Sequence, residues 1–257
     1  MVRHTSCYLF YCIALGKLRY HASRRSRVGT QRRYKQKHFC WPDRITVAGV
    51  VLIVLFLSNS KGTSVYADDI ARGRQLYILC ATTCHGEKGE GDQQRHAPAL
   101  AGVEAWYLEA QLQNFRNGLR GYHADDAAAL QMRPMARTLR KDEDVKAVSI
   151  YIASLAPTPR MATVSGDHER GKNLYTTCSA CHGEGGAGNA EVRSPGLLLQ
   201  GDWYIVSQLK KFRDGQRGAH KDDAPGMQMR AMTMMLQDDV ALNDLAAYVT
   251  SLGVAKK

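Results

Sequence analysis

The chain has 257 residues and a formal net charge of +11, which leaves room for two small domains or one large one. The charge is unevenly placed: residues 1–67 hold twelve Lys or Arg side chains and one acid, whereas residues 68–257 hold 23 basic and 23 acidic side chains. Because the body of the protein is neutral, the composition excludes a nucleic-acid-binding role, which depends on clustered cations facing phosphate.

The basic N-terminal segment, 1–67, ends in the pattern of an export signal. Arg44 precedes a predominantly apolar run of thirteen residues, 45–57, and a small-residue site ends at Ala67. This order is typical of a secretory signal peptide, and thirteen residues fall short of the ~20 that a membrane-spanning helix needs. We therefore expect cleavage after Ala67 and a periplasmic mature protein, with an uncleaved N-terminal anchor as the alternative. From the length of this leader we expect that the start codon has been assigned too far upstream.

Beyond the leader, one sequence unit occurs twice at an offset of 97 residues. One extra residue lies between Cys80 and Cys84, so that upstream of it the offset becomes 98. Two units of this size fit two small domains, and small domains need a staple or cofactor to complete their cores. We predict a first domain over 68–156, a proline-containing linker over 157–165 and a second domain over 166–257. The matching pairs include Gly73 and Gly171, Tyr77 and Tyr175, Trp106 and Trp203, Phe115 and Phe212, and His123 and His220.

Each copy closes with a segment that has the period of an amphipathic helix. Apolar side chains recur at spacings of three, four and three, which places them on one helical face. Asp142 and Asp238 near the starts of these segments can act as N-caps. Because no strand-like alternation of any length occurs, the sequence predicts an all-α fold of two tandem domains. The apolar positions are Val145, Val148, Ile152 and Leu155 in the first copy, and Leu242, Leu245, Val249 and Leu252 in the second.

The second copy contains Cys178-Ser-Ala-Cys181-His182, the C-x-x-C-H pattern of covalent haem attachment. Two thiols one helical turn apart can add to the two vinyl groups of one porphyrin, and the adjacent histidine then lies beneath the iron. A zinc or dithiol site is the alternative, but one cysteine pair supplies too few zinc ligands and lacks the thioredoxin-like βαβ context. We predict a covalent haem with His182 as an axial ligand.

The first copy has three residues between its cysteines, in Cys80-Ala-Thr-Thr-Cys84-His85. Alone this would be a weak signal, but the surrounding residues follow the second copy apart from that one insertion. We therefore predict a second covalent haem with His85 as an axial ligand. A site where only one thioether forms is the alternative.

Methionines at matching places offer a sixth ligand to each iron. His85 to Met132 and His182 to Met229 both span 47 residues, and a second pair, Met135 and Met232, follows three residues later. Repetition does not choose between the two pairs. Met227, Met234 and Met235 are set aside because their counterparts are Leu130, Arg137 and Thr138.

Histidines offer a further alternative for the sixth ligand. The paired residues His123 and His220 could each replace methionine, although they lie on the polar side of their segments. The remaining histidines beyond the leader, His96 and His168, lack counterparts in the repeat and are expected at the surface.

Over residues 70–254 the chain resembles class I cytochromes c, and the tandem arrangement is similar to the dihaem cytochrome c4 family. The resemblance is carried by Gly-x-x-x-Tyr-x-x-Cys before the haem motif, Pro-x-Leu after it, Phe-x-x-Gly-x-Arg-Gly, and the Met-x-x-Met pair. It implies that Gly73 and Gly171 allow the first and last helices of each domain to cross closely. It also implies that Met132 and Met229, the first of each pair, are the ligands.

The resemblance assigns roles to two further repeated positions. The carbonyls of Pro98 and Pro195 are expected to accept a hydrogen bond from the proximal histidines, which fixes the orientation of each ring. Arg120 and Arg217 are expected either to face haem propionates or to be solvated at the surface.

His/Met ligation fills the coordination sphere of iron and favours the reduced state, so it suits reversible one-electron transfer. We expect an electron carrier, not an enzyme, that passes electrons from a respiratory donor to a terminal oxidase or similar acceptor. Such redox partners bind weakly through small contacts, and membrane contact is expected only through partners or an uncleaved leader. The alternatives are a dihaem peroxidase-like enzyme and a cytochrome subunit of a larger membrane oxidoreductase.

Overall fold

The computed structural model describes residues 65–79 and 81–253. The apolar run of the predicted export signal and Cys80 lie outside these ranges, and cleavage after Ala67 stays a prediction. In the described part of the chain the regular structure is helical, which confirms the all-α prediction, and none of its helices is long and apolar enough to cross a membrane. The helices are α1 (65–79), α2 (Thr82–His85), α3 (Ala105–Asn117), α4 (Ala127–Thr138), α5 (Asp142–Ser154), α6 (His168–His182), α7 (Asp202–Arg213), α8 (Ala224–Thr233) and α9 (Asp239–Leu252).

The two copies follow the same helical order, apart from the stretch before the haem motif. In the second copy α6 runs without a break from His168 through Cys178 to His182. In the first copy α1 is described as far as residue 79, and the separate short helix α2 begins at Thr82. Tyr77 Oη donates to Gly86 O at 2.6 Å, and Tyr175 Oη donates to Gly183 O at 2.7 Å. Because the same contact survives, the insertion is absorbed locally.

The closing helices α5 and α9 supply the core of each copy. The predicted apolar face is confirmed: Val145, Val148 and Ile152 are buried in the first copy, and Leu242, Leu245 and Val249 in the second. Leu155 and Leu252 are partly exposed at the ends of their helices.

The N-cap prediction is right for one closing helix and wrong for the other. The carboxylate of Asp238 caps α9 by accepting from Ala241 N at 2.7 Å. Helix α5 has Lys141 at the N-cap position, without a side-chain cap. Asp142 is already inside that helix, where it pairs with Arg116. The reason is that Lys141 occupies the place in the repeat that Asp238 has in the second copy.

Glycines allow the first and last helices of each copy to cross closely. A Cβ on Gly73 would lie 2.1 Å from Ala147 O on α5, and a Cβ on Gly171 would lie 2.1 Å from Asp244 O on α9. No side chain fits at such distances, so both crossings require glycine. This matches what the family resemblance implies for the two residues.

The segment between the copies is held by hydrogen bonds to both of them. The buried carboxylate of Asp202, at the start of α7, accepts from Thr163 N, Thr163 Oγ1 and Val164 N. Arg160 donates to Glu90 O in the first copy at 2.8 Å and to Leu199 O in the second copy at 3.1 Å. The linker is therefore fastened to both domains.

Candidate haem sites

The proximal histidines are oriented in the same way in both copies. Nδ1 of His85 donates to Pro98 O at 2.8 Å, and Nδ1 of His182 donates to Pro195 O at 2.8 Å. Because each proline follows a short loop closed by an isolated β-bridge, its carbonyl is well placed to accept this bond. With the proton on Nδ1, the lone pair of Nε2 is available to a metal. The structure thus makes the contact that the family resemblance implies.

Burial keeps both histidines in the neutral form that binds metal ions. His85 is 5% exposed and His182 is 8% exposed. Burial lowers the pKa of both side chains below the ordinary value of 6.5, and it outweighs the hydrogen bonds to the proline carbonyls, which raise it. The insertion in the first copy therefore leaves its histidine in the same environment as the second.

The two copies enclose one continuous cavity of about 790 Å³. Both proximal histidines and both prolines line it. Its wall includes Leu108, Phe115 and Met132 from the first copy, and Leu209, Phe212 and Met229 from the second. An apolar cavity with a few convergent ligating groups is what a bound cofactor requires.

The cysteines differ between the copies. Cys178 and Cys181 line the cavity beside His182, and burial raises the pKa of the Cys178 thiol. Cys84 is exposed and lies outside the cavity wall, while its partner Cys80 lies outside the described residues. The extra residue thus changes the position of the Cys84 thiol more than that of the histidine.

The methionines of the first predicted pair lie in the cavity. Met132 and Met229 are partly buried and pack against the apolar cores. Met135 and Met232 are 36% and 38% exposed, although Met232 also reaches the cavity wall. The side chains of the second pair are therefore more exposed than those of the first pair and do not form buried core.

Among the described residues, the other methionines and histidines lie outside the cavity wall, except for His96. Its wall includes none of the three methionines that the repeat set aside, and all three are exposed. His123 and His220 also lie outside it, and each accepts through Nδ1 from a backbone N–H two residues later. His96 and His168 are exposed, as expected. His96 has a positive φ of 54° and still touches the cavity rim.

Arg120 and Arg217 are buried, so their expected solvation at the surface is wrong. They are 8% and 7% exposed, and their guanidinium groups stack over Phe115 and Phe212 at 4.5 and 4.4 Å. Both line the cavity. Their contact with propionates stays a prediction.

The two arginines bind across the boundary between the copies. Arg120 donates to Gln208 Oε1 at 3.0 Å and to Tyr204 Oη at 3.0 Å. Sequence reasoning missed this network, although Tyr107, Gln111, Tyr204 and Gln208 all keep the 97-residue offset. The reciprocal donors and acceptors are Arg217 Nη2 to Gln111 Oε1 at 2.9 Å and Arg217 Nη2 to Tyr107 Oη at 3.1 Å.

The cavity fits haem. Its wall brings together neutral imidazoles with free Nε2 atoms, thioether sulfurs, and, in the second copy, a pair of thiols. The acceptors bonded to the two guanidiniums are neutral amides and phenols, and Arg120 Nε is buried without a partner among the described residues. Buried cations without a bonded carboxylate favour an anionic group nearby, and haem brings two propionates. Bound haem supplies a reversible one-electron iron couple.

Two repeated helical domains that each present a Cys/His motif and a buried ligating histidine define a tandem c-type cytochrome. The family model described as Cytochrome c matches residues 70–156 and 168–253. The chain therefore belongs to the cytochrome c family, and it carries two covalently bound haem c groups. Both the predicted cofactor and the similarity to cytochromes c4 are confirmed.

Known relatives include both electron carriers and an oxidoreductase. The chain is 28% identical to the thiosulfate dehydrogenase electron acceptor of Stutzerimonas stutzeri (strain A1501), over 84% of this chain and 97% of that protein. It is also 28% identical to cytochrome c4 of Azotobacter vinelandii, over 78% of this chain and 98% of that protein. The solved structure of thiosulfate dehydrogenase from Marichromatium purpuratum matches with a TM-score of 0.57 at 29% identity. The match includes 73% of this chain and 42% of that chain.

Proposed function

We propose that the protein is a periplasmic one-electron carrier whose two irons are each held by one histidine and one methionine. The axial pairs are His85 with Met132 and His182 with Met229. The observation that carries the proposal is that each pair lines the same cavity, with its histidine fixed by a proline carbonyl. Similarity to cytochromes c4 supports it.

Filled coordination at both irons is what separates a carrier from an enzyme. An open position on one iron would favour peroxidase chemistry or the binding of gases. The methionine position is the same in both copies, and each of Met132 and Met229 is partly buried against apolar core. This symmetry supports two carrier sites over one carrier and one catalytic site.

The decisive experiment exposes the reduced holoprotein to carbon monoxide at neutral pH. We expect neither Soret band to shift on the timescale of seconds, and we expect hydrogen peroxide to cause no turnover with a reducing dye. Fast, stoichiometric carbon monoxide binding at one haem would contradict the proposal and favour the peroxidase-like alternative. A pyridine haemochrome assay fixes the haem content of the same sample.

The electron donor is proposed to be a periplasmic dehydrogenase, with a terminal oxidase or similar protein as the acceptor. A thiosulfate-oxidising enzyme is a specific candidate donor, because one relative is named as the electron acceptor of thiosulfate dehydrogenase. Mixing the oxidised protein with such an enzyme and thiosulfate should reduce both haems. Reduction no faster than in a mixture without enzyme would rule out this donor and leave the carrier function intact.

Export is proposed from the pattern of the leader, and fractionation of cells tests it. We expect the mature protein to start at Asp68 and to be recovered with periplasmic proteins. Intact mass distinguishes this form from one that retains 45–57. Recovery in the membrane fraction with that segment would favour a subunit of a larger membrane oxidoreductase.

A further inference from the structure

Two equivalent buried carboxylates lie at the boundary between the copies. Asp126 and Asp223 are equivalent in the repeat, and they cap α4 and α8 by accepting from Ala129 N and Gly226 N, both at 3.1 Å. They are 2% and 6% exposed. Both also line the cavity that holds the haem sites.

Different residues face these two carboxylates from the opposite copy. Lys211 Nζ, on α7 of the second copy, lies 2.6 Å from Asp126 Oδ1 and its side chain is 18% exposed. Asn114 Nδ2, on α3 of the first copy, lies 3.4 Å from Asp223 Oδ1. Asn114 and Lys211 hold the same position in the repeat. From the opposite copy, one carboxylate is therefore paired with a cation, whereas the other accepts from an uncharged amide.

The other buried charged side chains that line the cavity occur in both copies. Arg120 and Arg217 match each other, as do the two aspartates, so their fields contribute about equally to the two sites. His96 stands where the second copy has Arg193 instead of a histidine, but both side chains are exposed and screened by solvent. Among the described charged side chains that line the cavity, the Lys211 ammonium is the remaining difference between the two sites.

We propose that Lys211 makes the two haems unequal by raising the reduction potential of the first-copy haem. Reduction removes one positive charge from the iron, so a nearby cation stabilises the reduced state and an uncompensated carboxylate stabilises the oxidised state. Asp126 and Asp223 each stand six residues before the proposed methionine ligand of their helix. Charges in a buried boundary are screened less than surface charges. The electron therefore resides preferentially on the first copy.

This inference rests on the proposed one-electron function of both haems, but not on the identity of the donor or acceptor. Its test is a spectroelectrochemical titration of the holoprotein, which resolves one wave for each haem. Each wave is assigned by comparison with Met132→Ala and Met229→Ala, which should each lower the potential of their own haem. The informative variants are Lys211→Asn, Asn114→Lys and the double exchange of the two residues.

We expect Lys211→Asn to lower the first-copy wave and to shift the second-copy wave less. Asn114→Lys should raise the second-copy wave, and the double exchange should move the two waves in opposite directions at unchanged net charge. Lys211→Arg, which keeps the charge, should leave the separation of the waves nearly unchanged and serves as the matched control. High salt should reduce these shifts only partly, because the pair is mostly buried.

Two results would overturn the proposal. One is that Lys211→Asn moves neither wave, or moves both equally, in protein that carries two haems. The other is that Lys211→Arg changes the separation as much as Lys211→Asn, which would assign the effect to packing. Failure of the proposed carrier function would be detected in a separate experiment, as carbon monoxide binding by the wild-type protein. The two failures are therefore distinguishable.

Discussion

Arg120 of the first copy and Gln208 of the second are joined by a hydrogen bond of 3.0 Å between Nη2 and Oε1. The same amide oxygen accepts from Arg217 Nη1 of its own copy at 2.8 Å. Gln111 takes the reciprocal role, accepting from Arg217 at 2.9 Å and from Arg120 at 2.8 Å. Each glutamine thus bonds one guanidinium from each copy. This pattern links the domains through a buried polar network next to the haem cavity.

Gln208→Leu should destabilise the holoprotein by about 2 to 4 kcal/mol. The substitution keeps the volume but leaves two buried guanidinium donors without an acceptor, and each such donor costs roughly 1 to 3 kcal/mol. Denaturant unfolding followed through haem absorbance measures the loss. The exposed Gln237→Leu is the control and should change stability little. Equal effects of the two substitutions would show that the network does not contribute to stability.

The candidate haem ligands could be named from the sequence because the motifs that contain them are repeated at the same spacing. C-x-x-C-H places a histidine directly after a cysteine. His85 and Met132 are separated by 47 residues, as are His182 and Met229 in the second copy. The network between the copies could not be predicted, because nothing in the sequence states which faces of α3 and α7 meet. Gln111 and Gln208 were visible only as polar residues kept at the same offset.

Two errors have local physical causes. Asp142 was expected to cap α5, but the N-cap position of that helix is occupied by Lys141, which holds the place in the repeat that Asp238 has before α9. The alternative of a solvated Arg120 was also wrong, because a single arginine in sequence carries no sign of burial. Only the packing of both copies creates the aromatic and amide surroundings that hold it.

Gly171→Ala should reduce the stability of the second copy and its covalently bound haem. The new Cβ would lie 2.1 Å from Asp244 O, so α6 and α9 must separate, and overpacking of this kind costs about 1 to 3 kcal/mol or more. Denaturant unfolding and intact mass measure the two effects. Gly185→Ala is the matched control, because nothing lies within 4 Å of the Cβ that it adds. If the two variants are equally stable, the helices do not need glycine at their crossing.

Asp202→Asn should destabilise the protein at neutral pH and much less in acid. Burial acts to raise the pKa of Asp202, but hydrogen bonds from Thr163, Val164 and Trp203 outweigh it and lower the pKa below 3.8. Because the pKa of Asp202 is lower in the folded state than in the unfolded state, the ionised carboxylate stabilises the fold at pH values above the unfolded-state pKa. This contribution is lost as the pH falls from about 3.8 through the folded-state pKa.

Unfolding titrations of wild type and Asp202→Asn at pH 7 and at pH 3 test this dependence. The difference in the free energy of unfolding should shrink at the lower pH. Glu191→Gln, at an exposed position, is the control for the loss of one carboxylate. A difference that stays constant between the two pH values would mean that hydrogen bonding to the linker does not depend on the ionised form.

Met132→Ala and Met229→Ala should each abolish the sulfur-to-iron charge-transfer band of one haem and lower its potential. The reason is that the thioether is the proposed sixth ligand and stabilises reduced iron. Met135→Ala and Met232→Ala are the matched controls, three residues further along the same helices. They should keep the band, and they should cost less than the ~2 to 5 kcal/mol of a buried methionine, because both side chains are more than one-third exposed. Optical spectra of the oxidised holoproteins report the band, and denaturant titrations report the stability. Loss of the band in Met135→Ala or Met232→Ala instead would assign the ligand of that copy to the second methionine. Of these two residues, Met232 is the stronger competitor, because it also reaches the cavity.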